Sequence, residues 1–175
     1  DVGEVNGETI SAQDFQALVE EYTEVVKFSS GLNALSDEQT NQIKDEVWRA
    51  YVNNKLIENE AEKLGLTVSK AELQAIIDAG VHPMLQQTPF RNPQTGAFDK
   101  DMLKKFLVDY SKMNKAQMPA QYAEYYNSMY NFWAFVEKSL VQARLQEKYQ
   151  ALITKSLFSN PVEAEDAFNA RVDQS

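Results

Sequence analysis

The sequence predicts an all-α domain carrying one small β ribbon at its N-terminus, and three observations lead there. Apolar residues recur at the 3, 4, 7 spacing of a single helix face over most of the chain. Two capping boxes, Ser36-Asp37-Glu38-Gln39 and Ser69-Lys70-Ala71-Glu72, stand ahead of such stretches, where side chains satisfy the free N–H groups of a starting helix. Alternating apolar residues occur once, in Val2-Gly3-Glu4-Val5-Asn6-Gly7-Glu8-Thr9-Ile10. There the Asn-Gly pair suits a tight turn needing positive φ at both central residues. A lone two-stranded hairpin is marginal in water, so the ribbon at 2–10 is expected to lie against the helices or to pair with a segment elsewhere in a longer protein.

The first helix is expected from Ser11 to Phe28, burying Phe15, Leu18, Val19, Tyr22, Val25 and Val26, and ending at Ser29-Ser30-Gly31. The second follows its capping box to Leu64 and stops at Gly65, a favourable C′ residue. Its wide stripe includes Ile43, Val47, Tyr51, Ile57, Ala61 and Leu64, widened further by Trp48, Val52 and Leu56, and marks it as the expected centre of the core. A shorter helix through Leu73, Ile76 and Ile77 ends near Gly80. Residues 82–99 hold three of the five prolines and Gly96 and read as one long irregular loop, a functional segment or a mobile tip. Helix resumes at Asp99 or Lys100 with Met102, Leu103, Phe106, Leu107 and Tyr110 on one face. A very long helix is expected over 120–157, and Pro161 suits the first turn of a terminal helix over 161–172.

Composition restricts the chemistry. There is no cysteine and a single histidine, His82, which removes thiol nucleophiles, disulfides and Cys-type zinc or iron–sulfur sites and leaves a catalytic triad short of parts. Beside Pro83, His82 reads as a turn or packing residue. Carboxylate pairs such as Glu20-Glu21 or Glu58 with Glu62 read as ordinary charged helix surface rather than a glycosidase pair. Asp99-Lys100-Asp101 lacks the pattern of a calcium loop and reads as a helix start. The six glycines show no phosphate-binding spacing. No catalytic residue, metal or cofactor is therefore expected. The net charge of −9 disfavours nucleic acid. No apolar run approaches the ~20 residues that span a bilayer. Starting at Asp1 without a Met, the chain reads as a piece of something longer.

Seven aromatic residues lie within the fourteen positions 122–135: Tyr122, Tyr125, Tyr126, Tyr130, Phe132, Trp133 and Phe135. They occupy too much of a helix circumference for one buried stripe. Tyr122, Tyr126, Met129, Trp133 and Val136 can share a face, whereas Tyr125, Phe132 and Phe135 point elsewhere. Either neighbouring helices or a partner subunit cover them, or they form an exposed surface for unfolded chains.

Val-Asn-Gly followed by Ile10 and Phe15, the run Lys55-Leu56-Ile57-Glu58-Asn59-Glu60-Ala61-Glu62-Lys63-Leu64-Gly65-Leu66-Thr67-Val68-Ser69, and Pro89-Phe90 ahead of Gly96-Ala97-Phe98-Asp99 resemble the N-terminal chaperone region of the SurA and PpiD family of periplasmic peptidyl-prolyl isomerases. The likeness is closest to the membrane-anchored PpiD type and covers most of residues 2–157. It implies a periplasmic location and a parent protein held in the inner membrane by a helix before Asp1. Family members usually carry a parvulin-type isomerase domain, and no such stretch occurs between Asp1 and Ser175. The resemblance thus implies that isomerase activity belongs to the parent and not to these residues.

The reading that joins these points is an ATP-independent binding module for unfolded polypeptides, including outer-membrane protein clients. Phe90, Phe98, Tyr125, Phe132 and Phe135 are the expected client-binding residues. The rival is an oligomerisation or scaffolding domain, possible as a homo-oligomer, whose aromatic helix is buried against its partner. An enzyme with an acidic site is a third reading, which the scarcity of His and Cys makes hard to sustain.

Overall fold

A computed structural model describes residues 3–5 and 8–158. The chain runs β1 (Gly3–Val5), β2 (Glu8–Ile10), α1 (Ala12–Ser30), α2 (Asp37–Lys63), α3 (Lys70–Ala79), α4 (Pro83–Gln86), α5 (Lys100–Lys112), a 3₁₀ turn (Lys115–Gln117) and α6 (Ala120–Leu157). The fold is all-α with one two-stranded antiparallel ribbon, in which Gly3 pairs with Ile10 and Val5 with Glu8. The Asn6-Gly7 turn and the expected helix over 161–172 lie outside the described residues.

Local chemistry fixes the helix ends. Ser11 Oγ accepts from Asp14 N at 3.0 Å to start α1. Both capping boxes form: Ser36 Oγ accepts from Gln39 N at 3.1 Å while Gln39 Oε1 accepts from Ser36 N at 2.9 Å, and Ser69 and Glu72 repeat the exchange. At the end of α2 Gly65 takes φ +69°, which lets Leu66 N reach Ala61 O at 2.8 Å and Gly65 N reach Glu62 O at 3.1 Å. These two bonds satisfy carbonyls that the helix itself leaves free.

The core has two parts. Val19 of α1 meets Ile43 and Val47 of α2, with Phe15, Leu18, Tyr22, Val26 and Leu35 packed around them. The larger part joins Ile77, Leu85, Phe90 and Leu103 to Phe132, Trp133, Val136 and Leu140 of α6. The expected centre, α2, is therefore not the centre. It buries Ile43, Val47 and Ala61 and leaves Leu56 40% exposed, whereas α6 buries five side chains and packs against α1, α2, α4 and α5. The breadth of the α2 stripe has a different cause: α2 meets β1, α1 and α6, and each partner covers a different part of it. Trp48 shows this, standing edge-on to Phe15 and stacked on Tyr51 while β1 lies over its ring. A Cβ at Gly3 would sit 2.2 Å from Trp48 Cη2, so only glycine permits that approach.

Residues 82–99 also depart from the open loop read in the sequence. His82 caps α4, its Nδ1 accepting from Met84 N at 3.1 Å, with Pro83 at the first helical position where its missing N–H costs nothing. Leu85, Thr88 and Phe90 are buried, and Arg91 and Phe98 form a bridge that closes the segment on itself. The Gln86 amide ties the two ends together, donating to Gly80 O at 2.7 Å and accepting from Phe98 N at 3.1 Å. Proline and glycine here set tight turns in a packed plug, and the plug supplies core side chains between α3 and α5.

Candidate functional site: a tyrosine face on the long helix

Along α6 the aromatic residues change character. The first three turns carry tyrosines, at 122, 125, 126 and 130, and the next carry Phe132, Trp133 and Phe135. A phenol keeps a polar tip that water can solvate, whereas a phenyl ring does not. Burial follows that chemistry: Tyr122 is 54% exposed, Tyr125 52% and Tyr130 38%, while Phe132 and Trp133 are enclosed.

Two of the exposed rings, Tyr125 and Tyr130, are continuous with the core. Tyr130 stacks on Tyr110 of α5 at 4.5 Å and 6° between planes, and Tyr110 meets Phe106 at 5.8 Å. Phe106 touches Tyr126 at 6.5 Å and Phe90 at 5.4 Å, and Phe90 stands edge-on to Trp133. From the other side Tyr125 packs on Phe28 of α1 at 6.1 Å, and Phe28 lies 5.2 Å from Phe132. The face is thus underlain by rings packed on one another. The Tyr110 hydroxyl donates to Asn127 Oδ1 at 2.6 Å and receives a hydrogen bond from Lys115 Nζ at 2.7 Å. The same ammonium lies 4.1 Å from the Tyr110 ring centroid, in cation–π contact.

Of the five residues expected to touch clients, the structure leaves only Tyr125 on this face as an exposed side chain. Phe90 and Phe132 are buried at 3% and 5% exposure, so in this conformation they support the surface and do not form it. Phe98 is half-buried against the core, beside Gly80. Phe135 is half-buried on Tyr22 of α1, 5.6 Å between centroids, with Lys138 over its ring. The five do not form one surface because α1 covers one side of α6 and the 82–99 plug with α5 covers the other. Tyr122 and Tyr130 belong to the exposed set instead, and the Tyr-to-Phe change along α6 was the signal for them.

Two open grooves flank α3. One, of about 490 Å³, has Ile77, Leu103, Leu107 and Trp133 as its apolar wall, with Asp78 and Lys104 among its rim. The other, of about 390 Å³, lies along Ala75, Ile76, Ala79 and Val81. The N-terminus of α3 is clamped to α6 by Glu72, whose carboxylate receives Lys148 Nζ at 2.9 Å and Arg144 Nε at 3.4 Å. The Lys148 hydrogen bonds, then that from Ser69 N, hold the Glu72 carboxyl below the usual carboxylate range. Burial, and then the hydrogen bond to Glu46, push the Tyr22 phenol above its ordinary value. Among the described residues no group of three or more His, Asp and Glu is placed to hold a metal ion. No helix of the described residues is long and apolar enough to cross a membrane.

The architecture is that of a small helical domain with an N-terminal ribbon and an aromatic face on its longest helix. The family model of the SurA-like N-terminal domain matches residues 1–107, more than half of the chain, and the chain belongs to that family. The domain is a chaperone-type module of SurA/PpiD-type proteins, and such domains occur in periplasmic proteins. The matched residues end within α5, so α6 and its tyrosines lie beyond them. Neither the curated proteins nor the solved structures gave a match.

Proposed function

We propose that this domain holds unfolded polypeptides reversibly and without ATP, and that the tyrosine face of α6 is where they dock. The parent protein, on this reading, is a PpiD-type periplasmic isomerase anchored in the inner membrane, with its catalytic domain outside residues 1–175 and outer-membrane proteins among its clients. One observation supports the assignment most strongly: Tyr125 and Tyr130 stay exposed although their rings are continuous with a closely packed aromatic core, and Tyr122 is exposed beside them on the same helix. Large rings fixed in place offer apolar area to a client at little further cost in side-chain entropy.

The magnitudes suit a chaperone that must release. Three half-exposed tyrosines offer about 300 Å² in all, and a client covers a similar area of its own. At about 25 cal/mol per Å² this gives roughly 15 kcal/mol, against association costs of about 4–15 kcal/mol. The remainder, about 0–11 kcal/mol, falls in the weak, releasable range where the association cost lies in the upper half of its range.

Fluorescence anisotropy with a labelled unfolded outer-membrane-protein segment tests the proposal. Apolar docking is expected to persist between about 50 and 500 mM salt, where charge attraction fades, and to weaken at least tenfold when Tyr122, Tyr125 and Tyr130 are all changed to Ser. Binding that disappears with salt and ignores the three substitutions contradicts it. Sedimentation of the free chain separates the oligomerisation reading, which requires self-association that the same substitutions abolish.

A further inference from the structure

Charge is distributed unevenly along the chain. Residues 1–63 carry fourteen carboxylates against five Lys and Arg, whereas residues 64–158 carry eight against eleven. The tyrosine face belongs to the second part. Its cation is Lys115, exposed at the turn between α5 and α6 and held by the ring and hydroxyl of Tyr110, on which Tyr130 stacks. Among the described residues no carboxylate pairs with Lys115, unlike Lys27, Lys63, Lys138 and Lys148, each of which has one. Lys112 ends α5 two residues beyond Tyr110, and it too has no carboxylate among the described residues. The opposing charge is Glu124, exposed on α6 between Tyr122 and Tyr125.

We infer that the tyrosine face selects, among unfolded segments, those in which a carboxylate lies next to aromatic residues, with Lys115 receiving the carboxylate while the tyrosines receive the rings. The inference rests on the reading of this face as a site for unfolded chains. A lysine already fixed over a ring gives up little freedom when an acid arrives, and the ring beneath it leaves its outer side open to a client. The acidic first part of the chain works in the opposite sense, favouring basic clients at long range. The selectivity therefore belongs to close contact with Lys115 and not to the net charge of −9.

Three labelled twelve-residue peptides of identical Tyr and Phe spacing, flanked by Asp, Ser or Lys, test this against the full chain. At about 20 mM salt the Asp-flanked peptide is expected to bind about two- to fivefold more tightly than the Ser-flanked one, the range for one exposed ion pair. Lys115→Gln is expected to bring that ratio close to one, Glu124→Gln to raise it, and Lys44→Gln on the exposed side of α2 to leave it unchanged. Equal binding of the Asp and Ser peptides, or tighter binding of the Lys peptide, overturns the selectivity and leaves the polypeptide-binding reading in place. Failure of all three peptides to bind overturns both. Capture of anionic lipid vesicles without any peptide, or self-association abolished by Tyr125→Ser, assigns the face to another occupant and overturns the inference.

Discussion

Leu85 sits in α4 with no exposed surface, inside the segment between α3 and α5, and shares a cluster with Ile77, Phe90, Leu103 and Trp133. Replacing it by Ala removes three carbons from a site whose walls come from three separate stretches of chain, so the space is hard to refill. Buried Leu→Ala changes cost about 2–5 kcal/mol, through lost transfer energy and the cavity left behind. In a domain of this size each kcal/mol lowers the melting midpoint by about 2–4 °C, so a fall of about 4–20 °C is expected. Urea unfolding followed by far-UV circular dichroism is expected to show an earlier midpoint at unchanged slope. Val81→Ala, at a side chain 80% exposed, serves as the comparison and is expected to stay within about 0.5 kcal/mol of the parent. A Leu85→Ala loss no larger than the Val81→Ala loss would show that 82–99 is a surface tip after all and would refute the packing described for it.

Gly3→Val places side-chain atoms where the Trp48 ring now lies; the ribbon is expected to detach from α2, seen as a red shift of Trp48 fluorescence in a Trp133→Phe background, with most helical circular dichroism retained. Ser36→Ala removes one half of the α2 capping box and is expected to cost about 1 kcal/mol in urea unfolding. For Glu72 the folded-state pKa is depressed by Lys148, so the stability that the clamp contributes is present above the unfolded value and is lost as pH falls through the folded one. Wild type is accordingly expected to lose more stability below about pH 4.3 than Glu72→Gln does, and parallel melting curves for the two from pH 6 to pH 3 would contradict this.

Much of the fold was legible because it is written in local chemistry. Ser36, Gln39, Ser69, Glu72 and Gly65 act over three or four residues, and their geometry is almost independent of what packs around them. Burial was less legible because it depends on partners distant in sequence. The α2 stripe read as the centre of the core, but its width comes from several partners, β1, α1 and α6, each meeting a different part of it. Residues 82–99 looked like a loop because Pro83, Pro89, Pro93 and Gly96 break periodicity, although Leu85 and Phe90 sat among them as the sign of a plug. For the candidate site, counting aromatic residues was a poor guide to exposure. Phe90 and Phe132 are buried and Phe98 and Phe135 half-buried, as a phenyl ring with no polar tip favours, while Tyr125 is 52% exposed.

The central claim, that unfolded chains dock on the exposed tyrosines of α6, is tested most directly by site-specific photo-crosslinking. Benzoylphenylalanine is placed at Tyr122, Tyr125 or Tyr130 in turn, and at Asp45 on the exposed surface of α2 as the comparison. Each protein is mixed with a β-barrel membrane protein diluted from urea and then irradiated. Adducts at 122, 125 and 130 that are several-fold more abundant than at 45, and that are lost when the client is folded first, are the predicted result. Equal crosslinking at 45, or none at the three tyrosine positions while the client remains bound, would contradict the account.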